Sequence, residues 1–445
     1  MIQNWKPHQI IGFLLFLFVT VTYFILAAKF PLVYIWATYE DLYGEWLQVY
    51  LFLGALFFLV KLSFLSSRYR WCFIALSVAC LYVILEEISW GQRLFGFSSP
   101  QFFEKNNLQG ETNLHNLITG PYSTQLKAAI EYFLAAALVG YGLLYPLLIR
   151  LEWKLALFVE NLGVPAPPLH IAALFVVAAV LELGLFGFNE AEVAEILIGM
   201  ALMVIAIHYH HAVRHNVSVV ESDALSRADS NTIGITVVVV FIICAMSAGV
   251  TAYAVYSNPR LKVGIENRID NGIEQFARRY ERYEQWEMSA DLYKRIHEKR
   301  PGSASTLRHL ARMHKNMGDN ENFLKYVNKA LKLDLRRYQR KPNNVAIHHS
   351  LVHSYRLVGD NKKASSHLKR ALRLASDNTR KYPNSARAAY RLGKTYGLMG
   401  EYALAFEQFD KAYKLKPDSK KYRKWYYRSR IDLERNGRST TVNVN

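Results

Sequence analysis

The sequence predicts an all-α protein in two parts: a bundle of seven membrane-crossing helices over residues 1–257, then an α-solenoid of helical hairpins. Three observations predict it. Seven mainly apolar runs fill the first part, each long enough to cross a ~30 Å hydrocarbon core as helix. Glycines and aromatic residues recur at fixed spacing in the second part. Charge divides at the same place: 42 of the 54 Lys+Arg and 19 of the 36 Asp+Glu lie in residues 258–445, a net of +23, which leaves −5 for residues 1–257.

The runs cover 10–28, 46–65, 71–90, 128–149, 169–188, 193–212 and 232–256. The first follows Lys6 and has a longer apolar stretch than the h-region of a signal peptide, so it reads as a retained anchor. In the short loops, Lys6, Lys61, Arg68, Arg70, Arg150, Lys154, Arg214 and Arg227 fall on one side, and Lys29, Arg93, Lys105 and Lys127 on the other. The more basic side is cytoplasmic. The N-terminus is therefore expected in the cytoplasm of a bacterial inner membrane. An odd number of spans then carries the second part into the periplasm.

Ionisable groups at membrane depth are functional hypotheses by default. Glu86 and Glu87 close the third span, with Arg93 seven residues beyond Glu86 and on its helical face. The long loop 91–127 that follows contains Ser99-Pro100, which reads as the start of a short interfacial helix. Further on, Glu111 and His115 are spaced i, i+4, as a two-ligand metal face would be. The turn joining the fifth and sixth spans adds Glu182, Glu190, Glu192 and Glu195. Glu86, Glu87, Arg93, Glu111, His115 and Glu195 are thus candidate catalytic groups. Glu111, His115, Glu192 and Glu195 are candidate ligands of a divalent metal at the outer face. The alternative is ordinary interfacial charge.

A histidine run, His208, His210, His211 and His215, ends the sixth span. Seven spans, a Glu/Ser element and the HxxxH of His211 and His215 are similar in spacing to the zinc-dependent membrane hydrolases related to alkaline ceramidases and adiponectin receptors. The aspartate motif of that family has no match. From Glu195 to His208 is about 20 Å along a helix, so the histidines are expected at the opposite face from the carboxylates, as a solvated helix end. The seventh span holds no lysine for a retinal Schiff base, and Walker-type and dinucleotide-binding glycine loops are missing. Cys72, Cys80 and Cys244 all lie in apolar runs, which excludes a disulfide framework.

A linker at 258–267 is expected to lead into four helical units, near 270–303, 304–337, 345–378 and 386–419, within 268–417. In the last of them Leu392, Gly393, Tyr396, Gly400, Tyr402, Ala405, Phe409, Ala412 and Pro417 occupy small, aromatic and proline positions. This unit closely resembles the tetratricopeptide repeat. Leu351, Tyr355, Gly359, Ala364 and Ala371 continue the pattern backwards, then Leu310, Gly318 and Ala330; Trp286, Ser289, Tyr293 and Pro301 belong to a degenerate first unit. Gly318, Gly359 and Gly400 are 41 residues apart, seven more than the usual 34. Seven residues add about two helical turns and nearly keep the buried face, so the second helices of those units are expected to be long. Residues 418–445 are expected to form a polar capping helix and a disordered tail.

The resemblance implies a TPR-type α-solenoid whose concave surface binds peptide segments or partner proteins, with Tyr355, Arg391, Lys394 and Tyr396 as candidate contacts. The basic balance points to an acidic protein, an anionic glycan or anionic membrane lipid, and nucleic acid is not expected of a periplasmic domain. The sequence therefore supports a membrane-anchored envelope scaffold that recruits partners through its repeats. The alternative is a membrane-embedded, metal-dependent hydrolase or transferase acting on a lipid or glycan at the outer face.

Overall fold

The computed structural model describes residues 5–39, 41–92, 98–106, 112, 114, 124–215 and 226–441; the side chains of 104–106, 124–128, 420 and 436–441 are outside the description. Among the described residues the chain is helical throughout, with no strand. It divides into two compact units, residues 1–273 and 274–445.

The first unit contains α1 (Pro7–Lys29), α2 (Pro31–Thr38), α3 (Tyr43–Leu65), α4 (Arg70–Glu87), α5 (Gln101–Asn106), α6 (Thr124–Val139), α7 (Tyr145–Arg150), α8 (Lys154–Asn161), α9 (Ala172–Glu182), α10 (Glu190–Arg214) and α11 (Arg227–Ser257). Five stretches are long and apolar enough to cross a membrane: Pro7–Lys29, Tyr43–Leu65, Ala129–Arg150, Glu190–Arg214 and Arg227–Ser257. The expectation of seven such helices is reduced for two physical reasons. First, α4 stops at Glu87 and carries Arg70, Glu86 and Glu87 within its 18 residues. Second, the fifth run gives only the shorter apolar helix Leu169–Glu182. Its remaining residues turn back, because the Glu190 carboxylate accepts the amides of Phe186, Gly187 and Phe188 at 2.5, 2.7 and 2.5 Å.

Helix α10 lies at the centre, buried on nearly every face from Val193 to Ala212, as an all-round apolar helix must be. It runs parallel to α3: a Cβ on Gly199 would meet Leu51 and Phe52 at 3.2 Å, and farther along Phe58 packs edge-on against the His210 ring at 5.3 Å. The neighbours α4 and α11 run the other way, with Gln48 bonded to Glu87 at 3.1 Å and Tyr50 to Thr251 at 2.8 Å. The unit therefore has a carboxylate end and a histidine end. A π-helical turn, Gly140–Leu144, joins α6 to α7. There Gly142 admits the Phe175 ring so closely that a Cβ would fall 2.0 Å from its Cγ.

Residues 258–267, expected as a linker, are the first turns of α12 (Pro259–Arg282), and the division between the units falls inside that helix. The second unit continues with α13 (Trp286–Lys299), α14 (Ala304–Asn316), α15 (Asn320–Arg340), α16 (Val345–Val358), α17 (Asn361–Lys381), α18 (Ala386–Met399), α19 (Tyr402–Leu415) and α20 (Lys420–Thr441). Successive hairpins are built alike. Ser303, Asn344 and Ser385 cap the first helices by accepting an amide, and Asp319 and Asp360 cap α15 and α17. Between the two helices Gly318, Gly359 and Gly400 take φ of 77°, 83° and 86°, a left-handed turn that only glycine makes without strain. The extra seven residues lie in the second helices: α15 and α17 have 21 residues, against 14 in α19.

Alanines at the crossings let the helices approach. Ala330 packs with Ala304 and Leu307, Ala364 with Leu351 and Tyr355, and Ala371 and Ala375 with Val345 and Leu392. The capping helix α20 closes the array with aromatic rings, Trp425 stacking on Phe409 at 5.3 Å and Tyr426 on Tyr413 at 5.1 Å. The tail expected to be disordered is helical as far as Thr441.

Candidate functional site

At the carboxylate end Glu86 and Glu87 close α4, and Glu192 and Glu195 lie in the first turns of α10, while Arg93, Glu111 and His115 lie outside the described residues. Glu195 sits one turn before Gly199 and is thus level with Gln48, the partner of Glu87. The buried Glu86 accepts from the Trp90 indole at 2.7 Å and from the Leu114 amide at 2.8 Å. Nearby, Gln92 accepts from the Thr112 amide at 2.8 Å and from Ser99 at 3.1 Å. These polar side chains tie Thr112 and Leu114 to the end of α4 and the residues just after it. Beyond α4 the backbone leaves the helix, because Ser89, Trp90 and Gly91 all adopt left-handed φ, 49°, 53° and 81°.

The histidine end departs further from expectation. His208, expected at a solvated helix end, is 1% exposed. It faces His8 from α1 and His170 from the turn before α9, two residues that no motif or spacing links to it. The ring centroids of His8 lie 5.4 Å from those of both His170 and His208, and His170 and His208 are 6.3 Å apart. Ser230 of α11 fixes His8, bonding its Nδ1 at 2.8 Å. A turn or two along α10, His211 and His215 stack at 4.3 Å, and Asp229 Oδ1 lies 3.2 Å from His211 Nε2.

In the second unit the first helices of successive hairpins carry a basic stripe. A groove is lined by Arg308, His309 and Arg312 of α14 and by His353 and Arg356 of α16. Arg308 is held from beneath by the fully buried Asp334 at 2.8 Å, and Arg312 and His309 both pair with Glu281, at 2.6 and 3.1 Å. Burial pushes the Glu281 carboxyl up, but His309 and Arg312 outweigh it and hold it at about 2. Farther along, Arg387, Arg391 and Lys394 of α18 converge with Lys421 of α20, and the two lysines lie over aromatic rings. Lys421 lies 4.0 Å from the Tyr390 centroid and Lys394 lies 5.0 Å from that of Trp425. Burial and then the charges of Lys421 and Arg428 lower the Lys394 ammonium; burial and then Arg387 and Arg391 lower Lys421. Among the described residues none of Arg387, Arg391, Lys394 and Lys421 pairs with a carboxylate. Of the four expected partner contacts, Arg391 and Lys394 belong to this patch. Tyr396 packs against the core, and Tyr355 is buried, its ring stacked on His367 at 5.5 Å. Tyr355 is thereby corrected to a packing residue.

The hairpins, their left-handed glycine turns and their stacked alanines define this unit as an α-solenoid of helix pairs. Models of the tetratricopeptide repeat match residues 305–336 and 343–418, and the second unit carries repeats of that family. Among solved structures, a thermophilic TPR protein of Thermus thermophilus is 20% identical, with 37% of this chain and 82% of that one covered and a TM-score of 0.22. A crystal structure of MamA is 18% identical, covering 36% and 96%, with a TM-score of 0.16. None of the curated proteins searched matches this chain.

Proposed function

We propose that this chain is an integral membrane protein of the bacterial cell envelope whose repeats hold an acidic segment of a partner protein. In this reading α4 and α9 complete seven crossings, the N-terminus is cytoplasmic and the repeats are periplasmic. The asymmetry of Lys and Arg between the loops supports that orientation. Tetratricopeptide repeats supply the protein-binding surface. The observation that carries the acidic partner is the convergence of Arg387, Arg391, Lys394 and Lys421 without a carboxylate among them. Four gathered cations, two of them over aromatic rings, repel one another, and an acidic segment relieves that repulsion while the rings cover its backbone.

A labelled glutamate-rich peptide titrated into the detergent-solubilised full chain is expected to bind with an affinity that falls as salt rises. Combining Arg391→Glu with Lys394→Glu is expected to weaken binding at least tenfold. Equal binding by that variant, or binding indifferent to salt, refutes the reading. Capture of anionic vesicles or an anionic glycan in place of the peptide replaces the protein partner with that ligand.

A second reading, a hydrolase or transferase acting on a lipid or glycan at the carboxylate end, draws on the backbone of Ser89 and Trp90, since left-handed non-glycine residues collect at functional sites. Lipid turnover by the purified chain that is lost in Glu87→Gln supports it; no turnover, or turnover unchanged in that variant, removes it.

A further inference from the structure

The polar chemistry of the first unit is not confined to its carboxylates. His208 and His211 follow one another at i, i+3 on one stripe of α10, and His215 caps the end of that helix, stacked on His211. Asp229, in the first turn of the next helix, completes the group: one ligand atom each from His211, His215 and Asp229 lies within 4.8 Å of the others. A tetrahedral ion with ligands at ~2.0–2.1 Å needs its ligand atoms about 3.3 Å apart. The His211–Asp229 edge is already 3.2 Å. His215 is exposed and free to swing in by the remaining ångström or so.

A second observation points the same way. Directly inward of this trio, His8 Nε2 and both ring nitrogens of His208 are buried without a hydrogen-bond partner among the described residues. Leaving a buried polar group unmet costs about 1–3 kcal/mol. Apolar side chains would fill the same space at no such cost, so imidazoles gathered from α1, the turn before α9, and α10 call for a ligand that imidazole binds. The carboxylate of Asp229 is oriented by Ser226, whose hydroxyl donates to Oδ2 at 2.6 Å and leaves Oδ1 facing His211. Such support of a ligating carboxylate by an outer hydrogen bond is what metal sites use.

We propose that His211, His215 and Asp229 bind a divalent transition metal of zinc-like character, with the buried His8, His170 and His208 as the polar floor of the site. Two imidazoles and a carboxylate suit zinc, cobalt or nickel rather than calcium or magnesium. Three protein ligands leave a coordination position open. The site lies at the opposite end of the unit from the carboxylates of Glu86 and Glu195, and it joins the end of α10 to the start of α11. It is independent of the acidic-partner reading.

The test uses the full chain in detergent, stripped with a chelator and titrated with Co²⁺, whose visible absorption reports a tetrahedral site. Saturable absorption at a single equivalent is expected. His215→Ala and Asp229→Asn, at an exposed position and a helix end, are each expected to weaken cobalt binding at least tenfold with unchanged circular dichroism. His210→Ala, which removes a histidine packed on Phe58 and outside the group, is expected to bind as the wild type does. Absence of saturable absorption in the wild-type chain, or undiminished binding by His215→Ala and Asp229→Asn, overturns the proposal.

Discussion

Replacing Asp334 tests the groove at its foundation. The carboxylate is fully buried on α15 and receives four donors' worth of order from two neighbouring helices and its own: Arg308 at 2.8 Å, Ser350 at 2.7 Å and Ser354 at 2.8 Å, with Arg337 at 3.9 Å. The Arg308 side chain is itself only 13% exposed, so Asp334→Ala strands a guanidinium that water barely reaches. Removing one partner of a buried pair costs about 3–5 kcal/mol, most of it the charge left behind. The two serine hydroxyls lose their acceptor as well, which places the expected loss toward the upper part of that range. Hydrogen exchange of the α14 and α16 amides in the full chain, followed through a urea series, reads the stability of this unit separately from that of the first. Adding Arg308→Met to Asp334→Ala removes the stranded charge and is expected to recover at least half of the loss. A cost under about 1 kcal/mol for Asp334→Ala, or no recovery in the double variant, refutes the view that this pair is a buried ionic node.

Three other outcomes follow from the same physics. His349 bonds Thr395 at 2.8 Å, and burial, followed by the charge of Lys394, lowers its imidazole to about 3. It is neutral when folded but takes up a proton near pH 6.5 when unfolded, so its contribution is complete above pH 6.5 and is lost as pH falls toward 3, by up to about 1.4 kcal/mol per pH unit. The acid limb of a stability profile of the repeat unit should flatten by that slope in His349→Gln, which can keep the bond to Thr395. Glu190→Ala leaves the amides of Phe186, Gly187 and Phe188 without their acceptor. A loss of at least about 2–3 kcal/mol is expected, read as a lower melting temperature in detergent. Gly142→Ala drives a methyl into the Phe175 ring and should cost about 1–3 kcal/mol, with Phe175→Leu in the same chain relieving part of it.

The repeats were legible because their signals are local. Gly318, Gly359 and Gly400 must take a left-handed turn, and the seven-residue excess in their spacing has nowhere to go but into a helix. The number of helices long and apolar enough to cross a membrane was harder to read, since an apolar run such as 169–188 gives no warning that Glu190 will turn its last residues back to bind their amides. The carboxylate end could be anticipated from the shared turn at Glu190 to Glu195. The histidine end could not: His8 meets Ser230 across 222 residues and His208 meets His170 across 38, and nothing in composition or periodicity announces such meetings. The HxxxH of His211 and His215 was visible, but Asp229, offered by the next helix with no motif around it, was not.

The two lengthened helices bear on how the array comes apart. Each has 21 residues against 13 and 14 in the first helices of their hairpins, an excess of about 10–12 Å at 1.5 Å per residue. The overhang of α15 reaches into the following hairpin: Leu335 and Tyr338 pack with Leu351 and Tyr355, and Tyr338 meets the rings of His348 and His367 at 5.4 and 5.5 Å. A repeat array ordinarily loses its units one interface at a time. Here the overhang raises the coupling between neighbours relative to the stability of each, so the two long hairpins should open as a single cooperative block, with fraying left to the shorter pair beyond them.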